Sequence, residues 1–328
     1  MESQREFLDE KALVQMNPLE KRIFYWHIAN SEYACGAPLE KVSASYWDQN
    51  EAIGQFDGRH SLLVDGAQKV VEAIAEDTTI LLNKKVHKVK LIHRGVRVSL
   101  NDGTELEADK VLVTVPLAML KKGNIQFEPP LPKRKADAIK RLGAGRIEKI
   151  AVAFPRCFWK DLKQKNPPVD YFAHVGPVEQ RGLFHTIYDF TNRQDGSPKS
   201  FVLMSYVCGK SLEIFDKKTD DQVIKMFIET LRKLFPGKHI PKPVGQMVSR
   251  WGKDEDIGMS YSYMAVGSKP EDYDSMAAPV SDRIYFAGEA THRFFPQTMH
   301  GSYLSGIRAT TWMLDDYLVD HTRSFSTL

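Results

Sequence analysis

The chain moves repeatedly between helical and strand periods. Asn17-Pro18-Leu19-Glu20 predicts a helix start. The Asn17 side chain can accept free backbone N–H groups, Pro18 suits the first helical position, and Glu20 favours the positive end. Leu19, Ile23 and Trp26 fall at helical spacing and predict the inward face, with a stop near Gly36-Ala37-Pro38. A short helix is expected over Gly66–Ala75. The period then changes. Thr79–Leu82, Val86–Ile92 and Val96–Leu100 are rich in β-branched residues and predict strands. Asn101-Asp102-Gly103 supplies a tight turn. Lys110–Pro116 is a short, nearly all-apolar strand ended by proline, a pattern expected of a strand buried on both faces of an α/β sheet.

Pro132–Leu142 predicts a basic amphipathic helix closed by Gly143. Its Lys133-Arg134-Lys135 run reads as a solvated helix face, with a nuclear signal as the alternative. Ile150–Phe154 and Ser200–Val207 read as strands. Thr219-Asp220-Asp221-Gln222 is a capping box that starts a helix with Val223, Phe227, Leu231 and Leu234 inward, ended by Pro236-Gly237. Arg283–Ala287 reads as a last strand, and a last helix is expected from Gly301 to Leu318. This alternation of helices and strands predicts an α/β fold with two interleaved lobes rather than two sequential domains.

Composition narrows the function classes. With 45 basic and 42 acidic residues the net charge is +3, too small a field to argue for nucleic acid or a membrane surface. No run approaches the roughly 18 apolar residues of a membrane span. The polar, acidic start is no secretory signal. Cys35, Cys157 and Cys208 are an odd, scattered set, which argues against a disulfide framework or a cysteine zinc site and fits a reducing compartment.

Several chemical signatures are missing from the sequence. There is no Gly-x-Ser-x-Gly elbow, no phosphate-binding P-loop, no His-Glu-x-x-His and no Gly-x-Gly-x-x-Gly. The most informative stretch runs from Ile284 to Arg308: an apolar strand, the turn Gly288-Glu289, a loop, then a helix start with small residues at Gly301, Ser302, Ser305, Gly306 and Ala309. Such a face admits close approach of a flat ring or of backbone, and a helix start favours an anionic oxygen. Close helix packing is the other reading that a small-residue stripe permits.

The stretch GEATHRFFPQTMHGSYLSGIR, Gly288–Arg308, resembles the C-terminal flavin-binding segment of the flavin-containing amine oxidases. Within that superfamily it is closest to the lysine-specific histone demethylases, particularly the 1B type. NSEYACGAPLEKVSASYWDQNE, VLVTVPLAMLKKGNIQFEPPLP, LGAGRIEKIAVAFPRCFW, and SRW followed by MSYSYMAVGS also match, in the family's order, from about Glu20 to Leu318. The resemblance implies the FAD/NAD(P)-binding amine-oxidase fold. Residues 1–57 and 146–269 are then expected in the substrate lobe, and 58–145 and 270–328 in the FAD-binding lobe. It implies FAD-dependent oxidation of an amine, with release of hydrogen peroxide. Lys149 matches the family's active-site lysine, and Trp251 an aromatic residue at the flavin. Tyr261 and Thr298 match the walls of the approach to the ring. Val86, Thr114, Val115 and Pro116 match cofactor contacts, as do Gly288, Glu289 and Met299. Family members that bind flavin covalently use a cysteine in this region; Ala290–Gln297 contains none, so non-covalent FAD is expected.

The sequence also departs from the family. The family's N-terminal glycine-rich dinucleotide-binding unit is not found in these residues. Asp256 and Ile187 stand where the family tends to an aromatic. Two readings follow: an amine oxidase completed by the missing unit, or a truncated, inactive remnant that at most binds a partner. On the first, the substrate is a methylated lysine in a histone tail or a small amine such as a polyamine. Chromatin partners and a nuclear location rest on the resemblance alone, and a cytoplasmic location is the alternative.

Overall fold

The computed structural model describes residues 15–51, 63, 66–163, 170–191 and 200–325. The boundary expected at residue 57 lies outside them. The first helix, Pro18–Cys35, opens on the expected capping box: Asn17 accepts the Leu19 and Glu20 N–H groups, and the Glu20 carboxylate accepts the Asn17 N–H. Gly36 ends it at φ 65°, where its carbonyl accepts the Arg146 N–H at 2.6 Å. The inward face is not the one the spacing predicts. Leu19 is 58% exposed and Ile23 41%, while Ala29, Glu32 and Cys35 are buried. Arg22 reaches the Val175 and Gly176 carbonyls from the surface, and side-chain burial begins only near Trp26, whose indole donates to the His185 carbonyl at 2.5 Å. The turns before it project beyond the core.

The larger sheet is antiparallel, in the order Gly245–Val248, Glu148–Phe154, Phe201–Val207, Leu183–Asp189, Tyr171–Ala173. Helix Asp220–Leu234 lays Val223, Phe227 and Leu231 against Ile150, Val152 and Phe154 to form the largest core. Its capping box on Thr219 and Gln222 is present as expected. A second sheet orders Glu105–Ala108, Gly95–Leu100, Val86–Ile92 and Gln126–Glu128. Val111–Val113 pairs in parallel with Ile284–Phe286, and Gly143–Gly145 pairs antiparallel with Tyr261–Tyr263. These two short pairs tie distant parts of the chain together.

Four expectations change. Thr79–Leu82 forms no strand; Leu82 is 76% exposed, and no neighbouring strand among the described residues offers it a ladder. Gly143 does not cap helix Lys133–Arg141 but opens a strand paired with Tyr263, whose ring leaves no room for a side chain there, at 2.2 Å from a Cβ. Val111–Val113 is half-buried on most of its length rather than buried on both faces. The last helix runs from Met299 to Phe325.

Within the basic run Lys133 and Arg134 are exposed as expected, and Lys135 is the clearest correction. Lys135 is 3% exposed. Its Nζ donates to the Ser275 carbonyl at 3.0 Å and to that of Met276, and sits 3.8 Å from the centre of the Phe286 ring. Those carbonyls lie at the C-terminal end of helix Glu271–Ala277, where a cation is favoured. Burial, aided by the nearby Arg308 charge, lowers the amine's pKa to about 7. The folded state therefore holds fewer protons here than the unfolded chain between pH 7 and the ordinary lysine value of 10.5. Stability from this group rises with pH across that window and is lost as pH falls through it. Replacing Lys135 with Met is expected to flatten the rise relative to the parent, measured as urea midpoints between pH 7 and 10.

A second buried charge holds the first helix. Glu32 is fully buried and accepts two bonds from Arg181, at 2.9 and 3.2 Å, and the Leu39 N–H at 3.0 Å. Glu32→Ala leaves the guanidinium and the amide without their acceptor. A loss of roughly 3 kcal/mol is expected from denaturant unfolding.

Candidate active site

The parallel pair Val111–Val113 and Ile284–Phe286 ends in two turns that lie side by side. One carries Thr114, Val115 and Pro116; the other carries Gly288 and Glu289. Between them is a cavity of about 180 Å³, walled by Pro116, Leu117, Met259, Phe286 and Ala287. Gly288 adopts φ +119°, and the space where a Cβ would stand is open. A side chain there is strained and would intrude on the cavity.

A second cavity of about 310 Å³ adjoins the first and shares Ile257, Met259 and Ser260 with it. Lys149, Trp251 and Tyr261 line it. Strand alternation explains the lysine. In Glu148–Phe154, Glu148 and Ile150 point into the core, and Lys149 points outward. Lys149 pairs across the sheet with Tyr206, and its Nζ lies 5.9 Å from that ring's centre. Tyr206 in turn packs on Tyr33 at 4.8 Å and Tyr188 at 5.6 Å. Trp251 is 42% exposed over a wider opening of about 620 Å³ that Lys149 also lines. The Tyr261 hydroxyl donates to the Tyr33 carbonyl, and burial, with Tyr33 nearby, pushes the phenol pKa well up.

The other expected site residues are placed differently. Glu289 lines the first cavity, yet its carboxylate is engaged by protein: it accepts the Ser262 N–H at 3.0 Å, the Ser262 hydroxyl at 2.7 Å and the Gln297 N–H at 2.9 Å. Burial raises its pKa, and these bonds pull it partly back. Thr298 lines neither cavity. Its hydroxyl donates to the Phe295 carbonyl at 2.8 Å and accepts the Gly301 N–H at 3.0 Å. Met299 is exposed on the last helix, and Val86 is half-buried at the start of its strand; neither lines these cavities.

The small-residue face of the last helix meets protein at Gly301 and Ser305 and is open at Gly306. A Cβ on Gly301 would come within 1.9 Å of the Phe295 carbonyl, and Ser305 accepts the Gly288 N–H at 2.8 Å. Only Ser302 of that face reaches the first cavity. Ile187 is fully buried in the large core, and Asp256 pairs with Lys85 at 2.6 Å, which balances its charge. No group of three or more His, Cys, Asp or Glu suited to a metal occurs among the described residues, and no described helix is long and apolar enough to cross a membrane.

Sequence reasoning missed two residues beside the site. Glu148 is a fully buried carboxylate, and Ser249 bonds to it. A glutamate at an inward strand position next to an outward lysine was the available signal. Without the strand's register it looks like an exposed charge.

Known proteins resemble the chain closely. A family model described as flavin containing amine oxidoreductase matches residues 2–314. Lysine-specific histone demethylase 2 of Homo sapiens is 44% identical over 296 residues, covering 90% of this chain and 35% of that protein. Lysine-specific histone demethylase 1B of Mus musculus is 42% identical, covering 93% and 36%. The chain thus spans about a third of the length of the curated relatives it matches. Among solved structures, a double mutant of putrescine oxidase superposes with a TM-score of 0.74 at 20% identity, covering 95% of this chain and 68% of that one. Cyclohexylamine oxidase from Brevibacterium oxydans gives 0.72 at 19%, covering 93% and 66%. These likenesses give the fold.

Glu289 is expected to hold the site's framework. Glu289→Ala frees two N–H groups and a hydroxyl, and should cost about 1–3 kcal/mol in urea unfolding. The Tyr261–Tyr263 strand should lose amide-exchange protection first.

Proposed function

The chain belongs to the family of flavin containing amine oxidoreductases, and from that premise we propose that it forms the ring-binding and substrate-binding part of an FAD-dependent amine oxidase acting on methylated lysine. The observation that carries the reading is the meeting of Lys149, Trp251 and Tyr261 around one cavity that shares its Ile257, Met259 and Ser260 wall with the slot between Pro116 and Gly288.

The residues fit the ring end of a flavin. The slot is apolar, its walls are the ends of two parallel strands, and a left-handed glycine leaves open space above its backbone. When bound, FAD supplies the electron acceptor for oxidation of the carbon beside the amine nitrogen. Thr114, Val115, Pro116, Gly288 and the Glu289 backbone would hold the ring side, and Trp251 would wall the adjoining cavity. Met259 and Ile257 line both cavities and make their shared wall apolar. Tyr261 offers an aromatic wall in the Lys149 cavity to an alkylammonium group, which is attracted to aromatic quadrupoles. Lys149, which lines the same cavity, holds a water at its Nζ and handles its proton. Attachment is non-covalent, since Ala290–Gln297 has no cysteine.

The relatives named as histone demethylases support methyl-lysine peptides over free polyamines, and with them chromatin partners and a nuclear site. The 328 residues contain no glycine-rich phosphate turn, so FAD held by these residues alone is expected to bind weakly.

The test combines flavin absorbance with peroxide release from a dimethyl-lysine peptide and from spermine. It uses the chain alone and the chain joined to a dinucleotide-binding unit of its relatives. The joined protein should be yellow and should prefer the peptide. Lys149→Ala should slow peptide oxidation on the order of 10²–10⁴-fold while flavin absorbance persists. Full activity with alanine at Lys149 would remove the proposed role, and preference for spermine would replace the substrate class.

A further inference from the structure

We propose that Glu148 is a positioning residue that fixes Lys149 and Trp251 relative to one another from the far side of the sheet. The activity part of this inference rests on the function proposed above; the geometry does not.

Glu148 and Lys149 are neighbours in one strand, so their side chains leave on opposite faces. The Glu148 carboxylate is fully buried and touches neither cavity. Four donors converge on it. Oε1 accepts from Arg146 Nε at 3.1 Å and from the Gly252 N–H at 3.0 Å. Oε2 accepts from the Ser249 hydroxyl at 2.6 Å and from the Trp251 N–H at 3.0 Å. The same Ser249 oxygen accepts the Lys149 N–H at 2.8 Å, and the Ser249 N–H donates to the Lys149 carbonyl at 2.9 Å. One carboxylate therefore joins the backbone of the lysine strand, through Ser249, to the turn that carries Trp251.

The clamp is closed from the other side. A Cβ on Gly252 would fall 2.4 Å from the Arg146 side chain, so the guanidinium stem lies flat on that turn. Arg146 is held in place by Asp216 as well. Nothing else among the described hydrogen bonds connects residues 249–252 to the start of the strand so densely.

The chemistry explains why a carboxylate is required. All four partners donate, and an ionised carboxylate accepts on both oxygens. An amide would turn an NH₂ toward a donor and open one side of the turn. A displacement of about 1 Å in a reacting group is enough to cost on the order of 10²-fold in rate.

The experiment reads Trp251 directly, without cofactor. Its emission is isolated by subtracting the spectrum of Trp251→Phe, and the same subtraction is made in the Glu148→Gln background. A red shift and greater acrylamide quenching in Glu148→Gln are expected. An unchanged difference spectrum overturns the proposal. Should Glu148→Gln fail to fold, Ser249→Ala removes one donor and the link to Lys149, and its Trp251 emission must shift in the same direction. In the flavin-loaded protein, Ser249→Ala should lower kcat roughly 10-fold or more with KM nearly unchanged, and Ser249→Thr, which keeps the hydroxyl, should restore it. Loss in both variants alike, or in KM alone, overturns the positioning role. If the parent oxidises no amine, the functional reading fails, and the Trp251 emission still decides the positioning.

Discussion

The site depends on a pairing of only three residues on each side. Val111–Val113 lies parallel to Ile284–Phe286, and both strands end at the same level. The Thr114–Pro116 turn and the Gly288-Glu289 turn are therefore forced together, although most of the chain lies between them. In parallel sheets, ligands commonly meet the carboxyl ends of strands, because the loops there leave a crevice. Ile284 and Phe286 are buried with Val89, Val96 and Val113, so the pair is anchored by the core of the second sheet. Any change that lets these strands slip by a residue would turn the inward apolar positions outward and take the slot apart.

Buried carboxylates do the remaining alignment. Glu289 hooks Ser262 and Gln297, so that the Tyr261–Tyr263 strand is held against the Gly288 turn. Glu148 gathers the 249–252 turn under Lys149. Glu32 holds the first helix to Arg181. Each is desolvated, and each is surrounded by donors, which is the condition under which a buried charge is tolerated. Hydrophobic packing alone gives no such direction; it brings elements together but does not set the distance between two named side chains.

The relation between sheet and cavity also gives the site its chemical character. The large antiparallel sheet presents Lys149 and Tyr206 outward, backed by Tyr33 and Tyr188. Tyr206 is buried there and backs the lysine, while Lys149 and Tyr261 line the second cavity.

Much of the secondary structure was legible in the residues. The capping boxes at Asn17 and Thr219, the strand Val86–Ile92, the Ile150–Phe154 part of the strand that begins at Glu148, and the Val223, Phe227, Leu231 face follow from local chemistry that acts over four or fewer residues. The match to the amine oxidases was legible as well, because motif order survives in the linear chain. What the sequence could not decide was which neighbours each element would meet. Leu19 and Ile23 have the spacing of an inward face but project beyond the core, and Thr79–Leu82 has strand composition without a partner strand among the described residues. Lys135 looks like one more solvated cation, yet the end of helix Glu271–Ala277 takes it inside. Gly143 looks like a helix stop, yet it opens a strand paired with Tyr263. Glu148 looks like a surface charge, yet register turns it inward beneath the site. In each case the deciding contact comes from residues far away in the sequence, and local propensity is too weak to oppose it.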